Sequence, residues 1–451
     1  MTSPTRTTRV ATLPVPGLTS PAKPRKIAAT ERILSSGLRV LVVRRPSVPM
    51  VEVRLRIPFL SAKARHLPKA TLLSDTILTG TANHDRTGLA IALQEVGGDI
   101  SVGLDADRLL LSGSALAARL PELLALLSDV LTAASYPSDE VAGERTRLSE
   151  RITIARSQPG VIANEALAQR VAPGHPYGTS LPTLPDVEAT TAAQLRSMHS
   201  ELVRPAAALL VIVGDVSANR VLDSTEHALA AWTGEQATRK VPALPPIHPK
   251  PMLIVDRPGA VQTSLRLGGR ALPRLDPRYP ALQLANLAFG GYFSSRWVEN
   301  IREDKGYTYS PRSAIDHATL GSSFTASADV ATGVTAAAVL ETLYELGRIS
   351  SLPITESELE SVRQYAIGTL ALSISTQAGL ASTIAGLLGG GVDLDWLIGH
   401  RERLARVTVA DVADVAAEFL APRTLVGVAV GDAAQISAPL AGLIDVEPEG
   451  A

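Results

Sequence analysis

The first regular pattern in the chain is a strict alternation of apolar and polar residues at positions 51–57. The apolar residues of this segment are Val51, Val53, Leu55 and Ile57, and the residues between them are Glu52, Arg54 and Arg56. A period of two predicts a strand that buries one face. At positions 121–131, leucine and valine side chains recur at helical spacing, which predicts an amphipathic helix. Strands and amphipathic helices together predict an α+β fold.

The most informative pattern is an internal repeat. VRPAAALLVIVGDV at positions 203–216 recurs as LAPRTLVGVAVGDA at positions 420–433, and the shared Pro, Gly and Asp are each 217 residues apart. The same offset relates Thr191 to Thr408, two predicted helix N-caps with a polar partner three residues later. Each copy therefore predicts a capped helix, a turn and an apolar strand that ends in Gly-Asp.

The repeat divides the chain into two similar halves. RVLVVRRP at the start of the first half resembles MLIVDRPG at the start of the second, and each precedes a predicted strand. Residues 237–251 are rich in proline and predict a linker. We therefore expect α+β halves at 27–236 and 252–440, a disordered tail at 1–26 and a second tail at 441–451.

Composition limits the classes of protein that this chain can represent. Its 451 residues are 45% hydrophobic and 19% charged, which is enough apolar material for packed cores. Lys and Arg total 43 against 44 Asp and Glu, so the chain lacks the basic excess that is typical of nucleic-acid binding. The absence of Cys excludes disulfides, thiolate metal sites and a cysteine nucleophile.

We expect a cytoplasmic chain without a membrane segment. The N-terminal residues lack the apolar core of a signal peptide. The longest uncharged stretch, residues 364–392, contains several Ser, Thr and Gln residues and three consecutive glycines, which disfavour a membrane helix. Neither a membrane nor a nucleic acid is therefore expected among the partners.

Several motifs in a fixed order carry a resemblance to a known family. They are LTGT at 78–81, LAIALQEVGGDISVGLDADRLLLSGSAL at 89–116, GHPYG at 174–178, the first copy of the repeat and IREDKGYTYS at 301–310. This run resembles the M16 zinc peptidases, the family of pitrilysin, insulin-degrading enzyme and the mitochondrial processing peptidase. The resemblance implies two homologous α/β-roll halves, each an antiparallel-rich sheet with helices packed on one face, around a chamber that admits unfolded peptides.

The resemblance also indicates where the zinc site of the family would lie. M16 peptidases bind zinc through H-x-x-E-H on the helix before the Gly-Thr. Counting back from the Gly-Thr at 80–81 places the sequence TLLSD at this point. Thr71 and Asp75 therefore replace the two histidines, and Ser74 replaces the general base.

No other zinc site is expected in this chain. No two of its eight histidines are spaced i, i+4. His66 and His84 flank the predicted helix without an acidic residue at ligand spacing, and we expect both to be exposed loop residues. The distal zinc Glu of the family would fall near Glu144 or Glu150, which we expect to be surface charges on a helix. We therefore predict no metal and no cofactor in this chain, and no peptidase activity when it is alone.

The second half retains the other part of the family's active site. The resemblance implies that an Arg and a Tyr seven residues apart bind substrate opposite the zinc, and Arg302 and Tyr309 have this spacing. A guanidinium can hold a carboxylate or a carbonyl, and a phenol can donate to a carbonyl oxygen that gains charge. Alternatively, Arg302 is a helix-end ion-pair residue and Tyr309 a half-buried strand residue. Tyr307 is an ambiguous partner, since two-residue alternation would put both rings on one face.

A glycine-rich turn precedes this pair. Gly290, Gly291, Tyr292 and Phe293 lead into a predicted helix. In the α subunits of processing peptidases, a glycine-rich loop at this place helps to admit substrate. The resemblance therefore implies a substrate-gating loop, and a plain turn is the alternative.

Three functions remain open for the chain. Loss of the zinc motif with retention of Arg302 and Tyr309 resembles the non-zinc subunit of bacterial M16 heterodimers. We therefore expect a sister subunit that carries H-x-x-E-H and zinc, with unfolded peptides as the substrate. The alternatives are a catalytically inert scaffold subunit and a stand-alone peptide-binding clamshell.

Overall fold

The computed structural model describes residues 27–63, 65–235 and 241–450. The tail predicted at 1–26 lies outside these ranges, as do the first residues of the predicted linker. The remaining part of that linker, residues 241–251, contains neither a helix nor a strand.

Strands and helices of the first half follow one another along the chain. The strands are β1 (Ala29–Ile33), β2 (Arg39–Arg44), β3 (Met50–Pro58), β4 (Asp99–Leu104), β5 (Arg108–Leu116) and β6 (Leu209–Gly214). The α-helices are α1 (His66–Thr76), α2 (Arg86–Glu95), α3 (Leu120–Ala133), α4 (Ser138–Ser157), α5 (Pro159–Val171), α6 (Leu184–Glu188), α7 (Ala192–Leu202) and α8 (Ala218–Ala228).

The second half continues the numbering. Its strands are β7 (Met252–Asp256), β8 (Gln262–Ala271), β9 (Arg312–Ala318), β10 (Gly321–Ala331), β11 (Val426–Gly431) and β12 (Val446–Pro448). Its α-helices are α9 (Tyr279–Asn286), α10 (Arg296–Val298), α11 (Thr335–Ser351), α12 (Glu356–Ser373), α13 (Gln377–Gly389), α14 (Leu394–Arg406), α15 (Val409–Phe419) and α16 (Ala433–Ala441). Two π-helical segments, Leu287–Gly291 and Glu299–Asp304, flank α10.

The two halves share one sheet topology, which confirms the predicted α+β class and the internal repeat. The strand order is β1-β2-β6-β3-β5-β4 in the first sheet and β12-β7-β11-β8-β10-β9 in the second. β6 is parallel to β2 and antiparallel to β3, and β11 has the same relation to β7 and β8. The sheets differ at one edge, where β1 is antiparallel to β2 but β12 is parallel to β7.

The repeated sequence features have the same structural cause in each half. Thr191 and Thr408 both form capping boxes at the N-termini of α7 and α15. The glycines that end β6 and β11 are required by close approach of the neighbouring strand. A Cβ atom at Gly214 would lie 2.5 Å from the carbonyl oxygen of Met50, and one at Gly431 would lie 2.6 Å from the hydroxyl of a threonine on β8.

Each sheet is covered on its second face by a helix from the opposite half. α13 of the second half packs on β3 and β6 of the first sheet, and α5 of the first half packs on β8 and β11 of the second. Leu380, Ile384 and Leu388 of α13 are buried against apolar residues of β2 and β6. This exchange explains why every residue of β6 and β11 is buried, because a strand covered on both faces is apolar throughout. The sequence had indicated helices on one face only.

Polar contacts also join the halves at the turn between β4 and β5. The carboxylate of Asp107 accepts hydrogen bonds from the backbone N–H of Thr319, at 2.7 Å, and from the phenol of Tyr177. Arg108 donates to the hydroxyl of Thr319 at 2.9 Å and to the carbonyl oxygen of Gly389. Burial and the nearby Asp107 carboxylate raise the pKa of Tyr177, so its phenol remains a donor.

No single helix in the described ranges has both the length and the apolar composition to cross a membrane. α12 and α13 together satisfy this test of length and composition, but the chain bends by 109° at the break between them. In the folded chain, the apolar side chains of α13 are buried against the first sheet.

The C-terminal segment differs from the predicted tail. Val446–Pro448 forms β12 at the edge of the second sheet, where it pairs with β7. Glu447 of this strand forms an ion pair with Arg170 of α5, and the carbonyl of Asp445 accepts a hydrogen bond of 2.8 Å from the backbone of Met252. This edge strand was missed because it is only three residues long and its sequence has no alternating pattern.

The substitution Ile384→Ala tests the exchanged helix. Ile384 is fully buried between α13 and the first sheet, so its truncation leaves a cavity. We expect the free energy of unfolding to fall by about 2–4 kcal/mol. Urea unfolding followed by the fluorescence of the buried Trp232 and Trp297, one in each half, should show both halves shifting together.

The matched control is Leu372→Ala, which truncates a leucine that is 72% exposed on α12. Its effect on the free energy of unfolding should be about 0.5 kcal/mol or less. Two separate transitions, of which Ile384→Ala moves only one, would contradict the interlocked arrangement of the halves.

Candidate functional site

A reversal of the chain at Gly306 brings Arg302 and Tyr309 together. Arg302 lies in the π-helical segment that follows α10. Trp297 of α10 and Ile301 of the π-helical segment are both buried in the core of the second half. Gly306 has a φ of 66°, a left-handed conformation that glycine adopts without steric cost. Its N–H donates to the carbonyl oxygen of Arg302 at 3.1 Å, which closes the helical turn and sends the chain back.

The guanidinium of Arg302 lies over two aromatic rings. Its Cζ is 4.8 Å from the ring centroid of Tyr309 and 4.6 Å from that of Phe293. Both distances are within the range of cation–π attraction. Tyr309 is 82% exposed and Phe293 is 58% exposed, so the rings hold the arginine at the surface of the molecule. We call Phe293, Arg302 and Tyr309 the aromatic clamp.

The clamp leaves several hydrogen-bond donors free. Nε of Arg302 is 3.1 Å from a carboxylate oxygen of Glu303. Within the described part of the chain, the terminal amino groups of Arg302 and the phenol of Tyr309 have no hydrogen-bond partner. Arg302 therefore does form a helix-end ion pair, as in the alternative interpretation, but Tyr309 is neither half-buried nor in a strand.

Tyr307 does not share the surface of Tyr309. Its ring packs against the core of the second half, whereas that of Tyr309 projects into solvent. The two-residue alternation that we expected fails because residues 307–311 precede β9 and do not form a strand.

Gly290 and Gly291 belong to a π-helical turn and not to an open loop. A Cβ atom at Gly290 would lie 2.7 Å from the ring of Trp297, and one at Gly291 would lie 2.8 Å from the side-chain amide of an asparagine on α9. The ring of Tyr292 packs against Tyr365 at 4.9 Å. Of the four residues predicted for a gating loop, Phe293 is therefore the one that belongs to the aromatic clamp.

The three degenerate zinc-motif positions lie on α1, as expected. The hydroxyl of Thr71 donates to the carbonyl oxygen of Leu67 at 2.9 Å, within its own helix, and Ser74 is buried. Asp75 forms an ion pair with Arg151 of α4. Burial raises the pKa of Asp75, whereas the guanidinium of Arg151 opposes this rise.

Glu144 differs from the exposed charge that we predicted. It is buried on α4, where Arg147 donates to it at 2.7 and 3.0 Å and Arg86 lies 3.7 Å away. Hydrogen bonding from Arg147 lowers the pKa of Glu144, so this carboxylate is charged near neutral pH. Glu150 is exposed, as expected.

These residues do not fit a zinc ion. Zinc sites use histidine, thiolate or carboxylate ligands with a free electron pair. Here the nearby carboxylates of Asp75 and Glu144 are engaged by arginines, and no imidazole accompanies them. Across the described ranges, no group of three or more His, Cys, Asp or Glu residues could hold a metal ion.

His66 and His84 are less exposed than predicted. His66 is the first residue of α1, and its ring centroid lies 5.6 Å from that of Phe59. Nδ1 of His84 lies 3.2 Å from a carboxylate oxygen of Asp129, which also accepts a hydrogen bond from Thr81. Both histidines therefore have structural neighbours, and neither belongs to a group of metal-binding residues in the described ranges.

A large cavity lies between the two halves, where the resemblance implied a chamber, but the residues that line it were not predicted from the sequence. Its volume is about 1260 Å³, and it is bounded by β8–β10, α5, α13, α14 and the turn between β4 and β5. We call it the central cavity. The charged residues that line it are Arg56, Arg108, Arg266, Arg270, Arg274, Arg312, Asp105, Asp107 and Asp316. The sequence signal for these charges was the pair of arginines four residues apart in β8.

Comparison with known proteins identifies relatives of the chain. The family model described as "Peptidase M16 inactive domain" matches residues 189–365. An uncharacterized zinc protease of Mycobacterium leprae is 26% identical over 292 residues, which cover 63% of this chain and 65% of the relative. The probable inactive metalloprotease YmfF of Bacillus subtilis is 28% identical over 276 residues, which cover 55% and 63%. The chain thus spans slightly less than two thirds of the length of these relatives.

Solved structures share the fold. A peptidase M16 inactive domain from Pseudomonas fluorescens superposes with a TM-score of 0.82 and 22% identity, over 90% of this chain and 98% of that one. A protease from Helicobacter pylori superposes with a TM-score of 0.83 and 18% identity, over 90% and 100%. The resemblance to M16 proteins inferred from the motifs is confirmed, in that residues 189–365 match the model of the family's inactive domain and the fold is shared with a solved M16 inactive domain.

Proposed function

We propose that this chain is the non-zinc subunit of a heterodimeric M16 peptidase, in which Arg302 and Tyr309 hold and polarise the peptide substrate. In this proposal the zinc belongs to a sister subunit that carries H-x-x-E-H. The observation that supports it most strongly is the aromatic clamp, which holds two polar groups ready at an exposed surface while α1 has no zinc ligands.

The clamp is suited to hold a peptide because its arginine is already oriented. A free arginine side chain loses considerable rotamer entropy when it binds a ligand. Stacking on Phe293 and Tyr309 restricts Arg302 before any substrate arrives. The terminal amino groups, which have no partner in the described ranges, can then donate to a backbone carbonyl or a carboxylate of the peptide.

Tyr309 is suited to stabilise developing negative charge. A phenol donates a single hydrogen bond, and a donor directed at a carbonyl oxygen lowers the barrier as that oxygen becomes an oxyanion. The adjacent guanidinium favours the same negative charge. Zinc bound by a sister subunit would supply Lewis-acid polarisation of the carbonyl and an activated water.

The first half supports a division of roles between subunits. At the degenerate zinc motif, arginine side chains engage the carboxylates of Asp75 and Glu144. Positive charge at this place is thus supplied by guanidinium groups, which cannot activate water. Within the described ranges, the degenerate zinc motif therefore offers no group for the hydrolytic step of the family.

A catalytically inert scaffold is the second candidate. Two findings favour it: the family model is that of the inactive domain, and YmfF is named a probable inactive metalloprotease. Both candidates agree that the isolated chain lacks peptidase activity. They differ in the consequence of altering the clamp, because a scaffold would tolerate the loss of a donor at an exposed surface.

Tyr309→Phe tests the proposed role directly. The variant keeps the ring that packs on Arg302 and removes only the hydroxyl. In the complex with the zinc-bearing sister, we expect kcat to fall about tenfold or more, because loss of one such donor raises the barrier by up to about 3 kcal/mol. Cleavage of a quenched fluorescent peptide measures kcat, and size-exclusion chromatography confirms assembly.

Tyr344→Phe is the matched control, since Tyr344 is 57% exposed on α11, outside the clamp. Its kcat should equal that of the unmodified complex. Arg302→Lys keeps a positive charge but removes the planar group of donors, and it should also lower kcat. Normal turnover of the Tyr309 and Arg302 variants in an assembled complex would refute the proposal and favour the scaffold.

Arg151→Gln tests whether arginine compensates the carboxylate of Asp75. Burial raises the pKa of Asp75 in the folded chain, and the guanidinium of Arg151 partly offsets this destabilisation of the charged carboxylate. Without Arg151, this pKa should rise further. We therefore expect the free energy of unfolding to fall by about 1 kcal/mol near neutral pH and by less in acid, where Asp75 is protonated.

Thermal or urea unfolding at about pH 7 and about pH 4 measures this difference. The double variant Asp75→Asn/Arg151→Gln is the control. Once the carboxylate is also removed, the loss of stability caused by Arg151→Gln should no longer depend on pH. An equal loss of stability at both pH values would show that Arg151 does not act through Asp75.

A further inference from the structure

Positive charge predominates in the wall of the central cavity. Six arginines and three aspartates line it, although the chain as a whole has 43 basic and 44 acidic residues. The arginines come from both halves, since Arg56 and Arg108 belong to the first sheet and Arg266 and Arg312 to the second. The excess is therefore local to the space that the two halves enclose.

Three of these arginines already have an acidic neighbour. Arg108 lies 3.6 Å from the carboxylate of the adjacent Asp107, and Arg56 lies 4.0 Å from that of Asp105. Arg266 lies 3.1 Å from a carboxylate oxygen on β10 and donates to Asn164 at 2.8 Å. The charges of this group are thus largely compensated within the fold.

The other three have no carboxylate within 4.0 Å in the described ranges. Arg270 donates to the carbonyl oxygens of Val171 and Pro245, and burial lowers its pKa. Arg274 is half-buried beside α9, and Arg312 is exposed at the start of β9. On the same strand, Asp316 faces the cavity as an exposed carboxylate and forms no ion pair with these arginines.

Aromatic rings lie next to Arg274. Trp396 stacks on His400 with 4.1 Å between ring centroids, and Tyr279 lies 6.1 Å from Trp396. Burial and positive charge that includes Arg274 lower the pKa values of His317 and His400 to about 4. These histidines are neutral near pH 7, so the arginines alone supply the positive charge of this wall.

We infer that the central cavity binds an acidic segment of an extended peptide, with Arg274 and Arg312 pairing with its glutamate or aspartate side chains. The volume of about 1260 Å³ exceeds the roughly 300–1,000 Å³ of sites for small molecules, which favours a segment of a chain over a single small anion. Guanidinium groups that lack a carboxylate neighbour can bind a carboxylate through paired hydrogen bonds. The inference rests on the proposed function only in taking a peptide as the ligand.

The test uses the full chain without a sister subunit. Fluorescence anisotropy measures its binding to three labelled, C-terminally amidated peptides of equal length, in which glutamate, glutamine or lysine alternates with glycine and serine. At about 50 mM salt, we expect the glutamate peptide to bind about tenfold or more tightly than the glutamine peptide, and the lysine peptide to bind least. Added salt should reduce this preference.

The double variant Arg274→Gln/Arg312→Gln should lose about fivefold or more of its affinity for the glutamate peptide. Arg220→Gln/Arg406→Gln is the matched control, because it removes two charges from exposed helical positions outside the cavity. Its affinity should be unchanged. Circular dichroism confirms that both variants are folded.

Equal binding of the glutamate and glutamine peptides would overturn the inference, and so would an equal effect of the two double variants. A glutamine peptide with a free C-terminal carboxylate that binds as tightly as the glutamate peptide would also overturn it, since the terminus would then be the recognised group. Because binding is measured on the isolated chain, failure here leaves the kinetic test of Tyr309 unaffected.

Discussion

The architecture depends on two helices, because each half contributes one helix that packs on the sheet of the other half. A sheet with two apolar faces cannot be stable when one of them is exposed to water, because burial of apolar surface provides most of the free energy of folding. Here α13 covers the second face of the first sheet, and α5 covers that of the second. Each half therefore completes the core of the other, and the walls of the central cavity are fixed relative to each other.

The repeated elements were predictable from the sequence because they are local. A threonine with a polar residue three positions later specifies a helix start, and a run of apolar residues ending in glycine specifies a buried strand. Both copies of this unit are present with the same pairing. The packing of α5 and α13 could not be predicted in this way, because the local sequence of a helix does not determine which sheet it covers.

The candidate site shows the same distinction. The family resemblance, with its seven-residue spacing, predicted the pair Arg302 and Tyr309. The contact between them depends on the left-handed conformation at Gly306, and a glycine at this position is a local sequence signal for such a turn. Phe293 joins them from a separate turn. The arginines of the central cavity are distributed over many elements, so their common location becomes visible only in the folded chain.

The degenerate zinc motif and the aromatic clamp have complementary chemistry. At the degenerate zinc motif, the carboxylates of Asp75 and Glu144 are each compensated by a guanidinium. At the aromatic clamp, a guanidinium and a phenol lie at the surface with hydrogen-bond donors that have no partner in the described ranges. In the function that we propose, the clamp would bind and polarise the peptide, and the zinc-bearing sister subunit would supply the nucleophile.

The most direct measurement of this account is a crystal structure of the chain assembled with a zinc-bearing sister subunit and an uncleaved peptide. We predict that the terminal amino groups of Arg302 and the phenol of Tyr309 will lie within hydrogen-bond distance of the peptide, across from the partner's zinc. A peptide bound at that zinc while the aromatic clamp faces bulk solvent would contradict the account.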